Sequence, residues 1–254
     1  MGDLFGTAGM AAGYATARPA VHPRIIERIS RRLRLRGPLP RALDVGCGAG
    51  LSTRPLAQLA TQCFGIEPAE AMLKLTPAVA PHAAFAVGSA EALPIDTHSM
   101  DIITAAGSLN YADLSLFFPE AARVLSPGGV LIVYDFSQGR SFQDSPLLEQ
   151  WFVEFASCYP RPAASGQELN PEILEARSTG FRLQASETFE VGISLEPVAY
   201  LDYLMTEINV AHAVRSGVPE GEIRNWCEHT LRPVFNGASR EVLFPGYIAY
   251  MILN

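Results

Sequence analysis

The segment at residues 43–50 constrains the fold of this chain more than any other part of the sequence. It is a short apolar strand with Asp44 just before glycines at positions 46, 48 and 50. Glycine adopts backbone angles that other residues resist, so we expect the chain to turn sharply where this strand ends. Because the glycines lack side chains, a ligand can lie directly against the main chain. Asp44 adds an anionic acceptor that suits an ammonium or a hydroxyl group better than a phosphate.

A second acid follows about twenty residues further along the chain. Residues 63–67 read as another buried strand, and this strand ends in Glu67. In dinucleotide-binding folds an acid at this spacing binds ribose hydroxyls. The dinucleotide fingerprint, however, would require a glycine at position 51, where this chain has Leu51. A nicotinamide-dependent oxidoreductase therefore stays open as an alternative, but it is disfavoured.

Together these features resemble the class I, Rossmann-like S-adenosylmethionine-dependent methyltransferases. The resemblance covers roughly residues 10–136. Besides the D-x-G-x-G-x-G motif, it rests on the segments at 67–72, 88–94, 99–105 and 123–133. The resemblance implies S-adenosyl-L-methionine as the cofactor and a small molecule as the methyl acceptor.

The resemblance also implies which residues hold the cofactor. Asp44 and the glycine loop would hold the methionine moiety, Glu67 the ribose, and residues of two later loops the adenine. Ser89 stands where the family often has an aspartate. The full set of implied contacts in this part of the chain is Asp44, Gly46, Cys47, Gly48, Glu67, Pro68, Met72, Ser89, Ala90 and Gly107.

The N-terminal stretch at residues 12–23 resembles the lead-in of small-molecule methyltransferases such as trans-aconitate methyltransferase and its relatives. In that subgroup, Tyr14 and Arg18 would close over the methionine end of the cofactor. Val21 stands where the subgroup pattern has a tyrosine. An ordinary N-terminal helix, with a packed tyrosine and a solvated arginine, remains the alternative.

Composition limits the other classes of function. The formal net charge of −7 argues against a general polyanion binder. Seven arginines lie between positions 24 and 41, but no aromatic residues are interleaved to stack bases. A nucleic-acid partner is thus disfavoured, and an RNA methyltransferase ranks below a small-molecule one. The four cysteines show no C-x-x-C spacing and are expected to be reduced core residues rather than a metal site.

The sequence shows no pattern typical of a targeting signal or a membrane span. The chain opens with no basic-then-apolar leader, and it contains no apolar run long enough to span a bilayer. We therefore expect a cytoplasmic protein without a membrane partner. The sequence makes no prediction about the oligomeric state.

The order of the predicted elements indicates an α/β fold. Strands and helices alternate, which favours a doubly wound, mostly parallel sheet with helices on both faces. The family resemblance implies seven strands with an antiparallel last strand. Helices are predicted at 21–35, 52–60, 70–75 and 146–158, and later strands at 83–87, 101–106, 130–136, 182–193 and 240–253. Asp44, Glu67, Ser89 and Gly107 all fall at carboxyl ends of strands, where such sheets bind ligands.

We expect one methyltransferase domain over residues 1–254. Its core would comprise about 37–195 and 238–254, with N-terminal lid helices at 1–36 and a helical cap at about 196–237. The cap lies between the sixth and seventh strands and is predicted to hold two helices, near 197–215 and 219–234. A long insertion at a ligand-bearing edge is often functional.

The chemistry needs few protein groups, because the sulfonium of the cofactor is itself the leaving group. Holding the acceptor in line with the methyl group is the main task, and a base is needed only for a protonated acceptor. No catalytic residue is assigned. Tyr111 and His212 are candidates for a base or a substrate contact. Tyr203 and His229 are further candidates for the same roles. A non-catalytic protein that binds S-adenosylmethionine stays open as a further alternative.

Overall fold

The computed structural model describes residues 13, 15–162 and 166–254. The chain divides into two compact units. The unit that we call the sheet unit comprises His22–Phe136, Gly166–Phe189 and Gly246–Asn254. The helical unit comprises Met1–Val21, Ser137–Ser165 and Glu190–Pro245, as far as these ranges are described.

The strands are β1 Leu39–Val45, β2 Ala60–Glu67, β3 Ala83–Val87, β4 Met100–Ala106, β5 Leu125–Phe136, β6 Ser141–Phe142, β7 Phe181–Leu195 and β8 Arg240–Leu253. In the sheet unit they follow the order β3-β2-β1-β4-β5-β8, and β7 also pairs with β8. Strands β1 to β5 are parallel, whereas β8 runs antiparallel to β5. The order reverses between β1 and β4, which is the position where doubly wound sheets bind ligands. The predicted fold class is therefore confirmed.

The helices are α1 Val21–Leu33, α2 Glu70–Leu73, α3 Thr76–Val79, α4 Leu114–Val124, α5 Leu147–Cys158, α6 Pro171–Arg177, α7 Pro197–Leu204, α8 Ile208–Arg215 and α9 Glu220–Phe235. Helix α1 buries Ile25, Ile26 and Ile29 completely, as the spacing of an amphipathic helix requires. Its His22 Nδ1 lies 2.9 Å from the hydroxyl of Tyr134 on β5, so α1 covers one face of the sheet.

The opposite face of the sheet forms the main core. Side chains alternate between the two faces of a strand, and the residues of one parity pack against α4 and α6. The shared core includes Leu43, Val45, Ile103, Ala105, Leu131, Val133, Phe117, Phe118, Ala121 and Leu174. Because both faces are covered, the strands are apolar on both sides, and the carboxyl ends of β1, β2 and β4 are held in fixed positions.

Two predicted helices differ from the structure. In place of the helix predicted at 52–60 there is a short 3-10 turn, Arg54–Gln58, and β2 already begins at Ala60. The hydroxyls of Ser52 and Thr53 bond to the Asp44 carboxylate, and such side-chain bonds compete with a regular helix. The helix predicted at 197–215 is divided into α7 and α8, because Glu207 is extended between them. The insertion therefore holds three helices rather than two.

The helical unit is built around aromatic residues of α5 and α9. Trp151 donates its indole N–H to Thr230 Oγ1 over 2.9 Å, and its ring lies 5.8 Å from that of Trp226. Strand β6 pairs with the first part of β8 in the same unit. The predicted division into core, lid and cap has other boundaries than these units, and it stays a prediction. Among the described residues, none of the helices has the length and apolar character that crossing a membrane requires.

Candidate functional site

The glycine loop after β1 is bonded to the end of β2. The amides of Gly46 and Cys47 both donate to the carbonyl oxygen of Ile66, at 2.8 and 3.1 Å. Gly46 has a φ of +70°, and a Cβ there would lie 2.3 Å from the Cβ of Ser108. Ser108 in turn donates its hydroxyl to the carbonyl oxygen of Val45 over 2.6 Å. Glycine at this position therefore allows the ends of β1 and β4 to come together.

Asp44 lies under this loop and is completely buried. Its carboxylate accepts hydrogen bonds from the hydroxyls of Ser52, Thr53 and Thr104 at 2.6, 2.7 and 3.1 Å. Burial raises the pKa of this carboxyl from 3.8 to about 6, although the three hydroxyls oppose the shift. In this structure Asp44 orders the turn that follows the glycine loop. Its predicted contact with the methionine moiety stays a prediction.

The pKa of Asp44 predicts an unusual pH dependence of stability. A carboxyl whose pKa is raised on folding binds more protons in the folded state, so its contribution is favourable at low pH and is lost as the pH rises through about 6. The shift corresponds to about 3 kcal/mol. We expect the free energy of unfolding of the wild type, relative to Asp44→Asn, to increase by up to that amount as the pH falls from 7.5 to 4. Urea titrations across this range measure the difference, and parallel curves for the two proteins would contradict it.

Glu67 lies at the end of β2 and joins two loops. Its Oε2 accepts from the amide of Gly48 over 3.0 Å, and its Oε1 accepts from the amide of Ala69 over 2.9 Å. Burial raises the pKa of this half-buried carboxyl, while the two amides oppose the shift. Met72 is buried and packs against Gly48. Pro68 is exposed beside them.

The ends of β3 and β4 complete this edge of the sheet. Ser89 forms an isolated antiparallel bridge with Ala92, and Ser89 and Ala90 are half-buried. Gly107 has a φ of +64°, and its amide donates to the carbonyl oxygen of Tyr134 over 2.9 Å. The structure thus places the predicted glycine loop, Glu67, Ser89 and Gly107 along one edge of the sheet unit. Their contacts with a cofactor stay a prediction.

Two further residues, Tyr14 and Arg18, were predicted to close over the methionine end of the cofactor. Tyr14 lies outside the described residues. Arg18 belongs to the helical unit, where its Nη1 is 3.1 Å from Glu207 Oε1 and its Nη2 donates to the carbonyl oxygen of Thr206 over 3.1 Å. Its guanidinium carbon also lies 5.3 Å from the ring centre of Tyr203. A contact between Arg18 and the cofactor is not tested by this placement.

The four candidates for a base are also divided between the units. Tyr111 is half-buried in the sheet unit, in the turn after β4. Tyr203 is buried on α7, and its hydroxyl accepts from the amide of Gly139 over 3.3 Å. His212 on α8 is half-buried and His229 on α9 is exposed. Of these four candidates, Tyr111 belongs to the same unit as the glycine loop.

Sequence reasoning missed a polar group beside Gly107. Asp135 Oδ2 accepts from the side-chain amide of Asn110 over 2.7 Å, and Asp135 Oδ1 accepts from the amide of Phe136 over 2.8 Å. Tyr247 lies directly opposite Asp135 in the antiparallel pair of β5 and β8. The position of Asp135 at the end of an apolar strand was a usable signal, because Glu67 follows its strand in the same way. Tyr247 could be found only from the register of β8.

The helical unit contains a cavity of about 500 Å³. Its lining combines apolar side chains, such as Met205 and Val210, with the charged pair of Asp202 and Arg224, whose atoms are 2.9 Å apart. This volume is typical of small-molecule sites. The lining does not favour one class of ligand over another.

Known proteins similar to this chain are methyltransferases, and the similarity includes the strands that form the sheet edge described above. Residues 43–133 match the model of a family described as a methyltransferase domain. An uncharacterised methyltransferase of Mycobacterium tuberculosis is 32% identical over 130 residues, which are 51% of this chain and 51% of the relative. The human mitochondrial ubiquinone biosynthesis O-methyltransferase is 30% identical over 194 residues, which are 70% of this chain and 51% of that protein.

The solved structures extend the likeness of the fold beyond this segment. The structure of a candidate type II methyltransferase from Anaeromyxobacter dehalogenans has a TM-score of 0.65 and 22% identity, and the match covers 83% of this chain and 88% of that one. This chain spans about half the length of the curated relatives named above. The resemblance to methyltransferases is confirmed for the matched segment, whereas the subgroup related to trans-aconitate methyltransferase stays a prediction.

Proposed function

We propose that the chain transfers a methyl group from S-adenosyl-L-methionine to a small-molecule acceptor. One observation carries the proposal. The Glu67 carboxylate and the glycine loop are joined by the bond from the Gly48 amide, at the point where the strand order reverses. This arrangement combines an anionic acceptor for ribose hydroxyls with a backbone that a ligand can approach closely.

The residues along the edge fit the bound form of this cofactor. The loop at Gly46 and Gly48 would hold the methionine moiety, and Glu67 would accept hydrogen bonds from the ribose. Met72, Ser89 and Ala90 would contact the adenine. A Cβ on Gly48 would meet only the tip of Met72, at 3.4 Å, so the loop is open to a ligand there. The bound cofactor supplies an electrophilic methyl group on a sulfonium.

The role of the chain is then mainly to position the acceptor. Correct alignment of two reactants can contribute about 7–11 kcal/mol to a reaction, which needs a rigid edge rather than a covalent nucleophile. The ends of β1, β2 and β4 provide such an edge, because each is bonded to its neighbour in the sheet. The net charge of −7 and the human relative's name, which refers to ubiquinone biosynthesis, support a small-molecule acceptor.

Calorimetric titration with S-adenosylhomocysteine tests the proposal, with NAD as the parallel control. We expect micromolar binding of S-adenosylhomocysteine and no binding of NAD. Binding of NAD alone would favour the nicotinamide-dependent oxidoreductase. A non-catalytic binding protein is distinguished by incubating the protein with labelled S-adenosylmethionine and a metabolite extract, since such a protein would label no acceptor.

Glu67→Ala provides a sharper test of the site. The substitution removes a charge-assisted acceptor worth about 1.5–3 kcal/mol, so we expect the affinity for S-adenosylhomocysteine to fall about 10- to 150-fold. Glu172→Ala, which changes an exposed glutamate of α6 in the same unit, serves as the matched control. Equal affinities of the two variants, measured by calorimetry, would count against the proposed site.

A further inference from the structure

The loop that would contact the adenine follows β3 in the sheet unit. It comprises residues 88–95, and we call it the adenine loop. Ala92 donates its amide to the carbonyl oxygen of Ser89 over 3.3 Å. Ile95 donates its amide to the carbonyl oxygen of Leu93 over 2.8 Å. Bonds over so few residues shape a turn, whereas contacts with other elements decide where the turn lies.

Two side chains of α4 supply such contacts. The Oε2 atom of Glu120 accepts from the Leu93 amide over 2.8 Å. Arg123 donates from Nη1 to the carbonyl oxygen of Ile95 over 2.7 Å and from Nη2 to that of Leu93 over 2.9 Å. The pair of Glu120 and Arg123 therefore binds the backbone of the adenine loop at three points, next to the buried side chain of Leu93.

The two side chains also orient each other. The Nε and Nη2 atoms of Arg123 donate to Oε1 and Oε2 of Glu120, at 2.8 and 2.7 Å. A guanidinium has five N–H donors in a rigid plane, so it can pair with a carboxylate and still donate to other acceptors. The bond from Arg123, which partial burial opposes, lowers the pKa of Glu120. The pair is therefore charged at neutral pH, and its geometry suits the two loop carbonyls.

Helix α4 is well suited to support the adenine loop. Its residues Phe117 and Phe118 are completely buried in the main core, so the helix has a fixed position on the sheet. Asp113, the N-cap residue of α4, donates its amide to Glu91 Oε1 over 2.9 Å. The helix thus contacts the adenine loop near both of its own ends.

We propose that Glu120 and Arg123 are positioning residues for the adenine of the cofactor. They keep the backbone of the adenine loop in the conformation that binds the base, and they act through the loop rather than by touching the cofactor. This inference rests on the proposed function, in which Ser89 and Ala90 contact the adenine. When a site is competent for only a fraction of the time, the apparent affinity falls by that fraction. Loss of the pair should therefore weaken the binding of ligands that contain the base.

Ligands with and without the base test this assignment. S-ribosylhomocysteine has the ribose and amino-acid parts of S-adenosylhomocysteine but no adenine. We expect Arg123→Ala to weaken S-adenosylhomocysteine about tenfold and to leave S-ribosylhomocysteine within about twofold of the wild type. Calorimetry measures the first affinity and ligand-observed NMR the second. Equal weakening of the two ligands, as a general structural effect would produce, would overturn the inference.

Arg31→Ala is the matched control for these measurements. Arg31 lies on α1 of the same unit and pairs with Glu27 one turn away, at 2.6 Å. The control removes an arginine from a helical ion pair, as Arg123→Ala does, but the pair is on another helix. We expect Arg31→Ala to bind both ligands as the wild type does. A loss in the control as large as that in Arg123→Ala would contradict a specific role of Arg123.

Two variants of Glu120 separate the loop contact from the ion pair. Glu120→Gln removes the charge but keeps an oxygen that can accept from the Leu93 amide, whereas Glu120→Ala removes both. We expect Glu120→Gln to bind S-adenosylhomocysteine with nearly wild-type affinity and Glu120→Ala to bind it about tenfold more weakly. Equal effects of the two variants would assign the loss to the ion pair and would overturn the inference.

Amide hydrogen exchange tests the same inference without the base-free ligand. In the ligand-free protein, we expect Arg123→Ala to speed the exchange of residues 89–95 at least about tenfold, with the exchange of β1 and β4 unchanged. Unchanged exchange in the adenine loop, or faster exchange throughout the sheet, would overturn the inference. Failure of the wild type to bind S-adenosylhomocysteine would instead overturn the proposed function. Wild-type binding together with an unaffected Arg123→Ala variant would overturn this inference alone.

Discussion

Gly46→Ala is expected to lower the free energy of unfolding by about 3 kcal/mol. The backbone of Gly46 has a φ of +70°, where a non-glycine residue is unfavourable by about 1–2 kcal/mol. The added Cβ would also lie 2.3 Å from the Cβ of Ser108, and such overpacking adds about 1–3 kcal/mol. Denaturant titration of the two proteins measures the difference.

The same substitution should nearly abolish cofactor binding. Ser108 is held by its bond to the Val45 carbonyl oxygen, so the loop rather than Ser108 must move. Displacement of a positioning element by about 1 Å can weaken function about 100-fold. We expect a loss of that order in the affinity for S-adenosylhomocysteine, measured by calorimetry on protein that is still folded.

Two further variants separate the clash from the backbone strain. Gly128 has a φ of +81° but nothing within 4 Å of its Cβ position, so Gly128→Ala should show only the strain. Adding Ser108→Gly to Gly46→Ala removes the clashing Cβ and should recover more than about 1 kcal/mol beyond additivity. If Gly128→Ala were as destabilising as Gly46→Ala, the close approach to Ser108 would not explain the effect.

The sequence was most informative where one local pattern determines the structure. Asp44 near the end of β1 and the glycines that follow the strand predicted a sharp turn, and Gly46 indeed has a positive φ and donates its amide to the Ile66 carbonyl oxygen. The last strand was predicted at 240–253, and β8 has these bounds. Strands in such a sheet are buried on both faces, so they form continuous apolar runs. The apolar run alone therefore predicts where in the sequence the strand lies.

The sequence was less informative where distant side chains decide the structure. The turn at Arg54–Gln58 is not a full helix, because Asp44 binds the hydroxyls that precede it. The break between α7 and α8 occurs at Glu207, whose partner Arg18 is far away in sequence. Asp135 and Tyr247 meet through strand register alone. No pattern of neighbouring residues in the sequence predicts these contacts between distant residues.

Arg18→Ala is expected to lower the free energy of unfolding by about 3 kcal/mol. Glu207 is only 2% exposed, and its Oε1 atom lies 3.1 Å from Arg18 Nη1. Removing one partner of a buried pair leaves an uncompensated charge, which is unfavourable by about 3–5 kcal/mol. We take the lower value because Arg18 is 22% exposed and the Gln138 amide still donates to Glu207. Arg31→Ala, which breaks an exposed pair with Glu27, should leave the free energy of unfolding nearly unchanged, because solvent screens exposed ion pairs.

The double variant Arg18→Ala/Glu207→Gln distinguishes a structural from a cofactor-binding role of Arg18. The neutral amide that replaces the Glu207 carboxylate no longer needs a cation, so we expect at least half of the lost stability to return in denaturant titrations. The affinity for S-adenosylhomocysteine then reports on Arg18 in a protein of restored stability. A lowered affinity would support the predicted contact with the methionine end. An unchanged affinity would assign Arg18 a structural role as the partner of Glu207, and an unrecovered stability would contradict the buried-charge explanation.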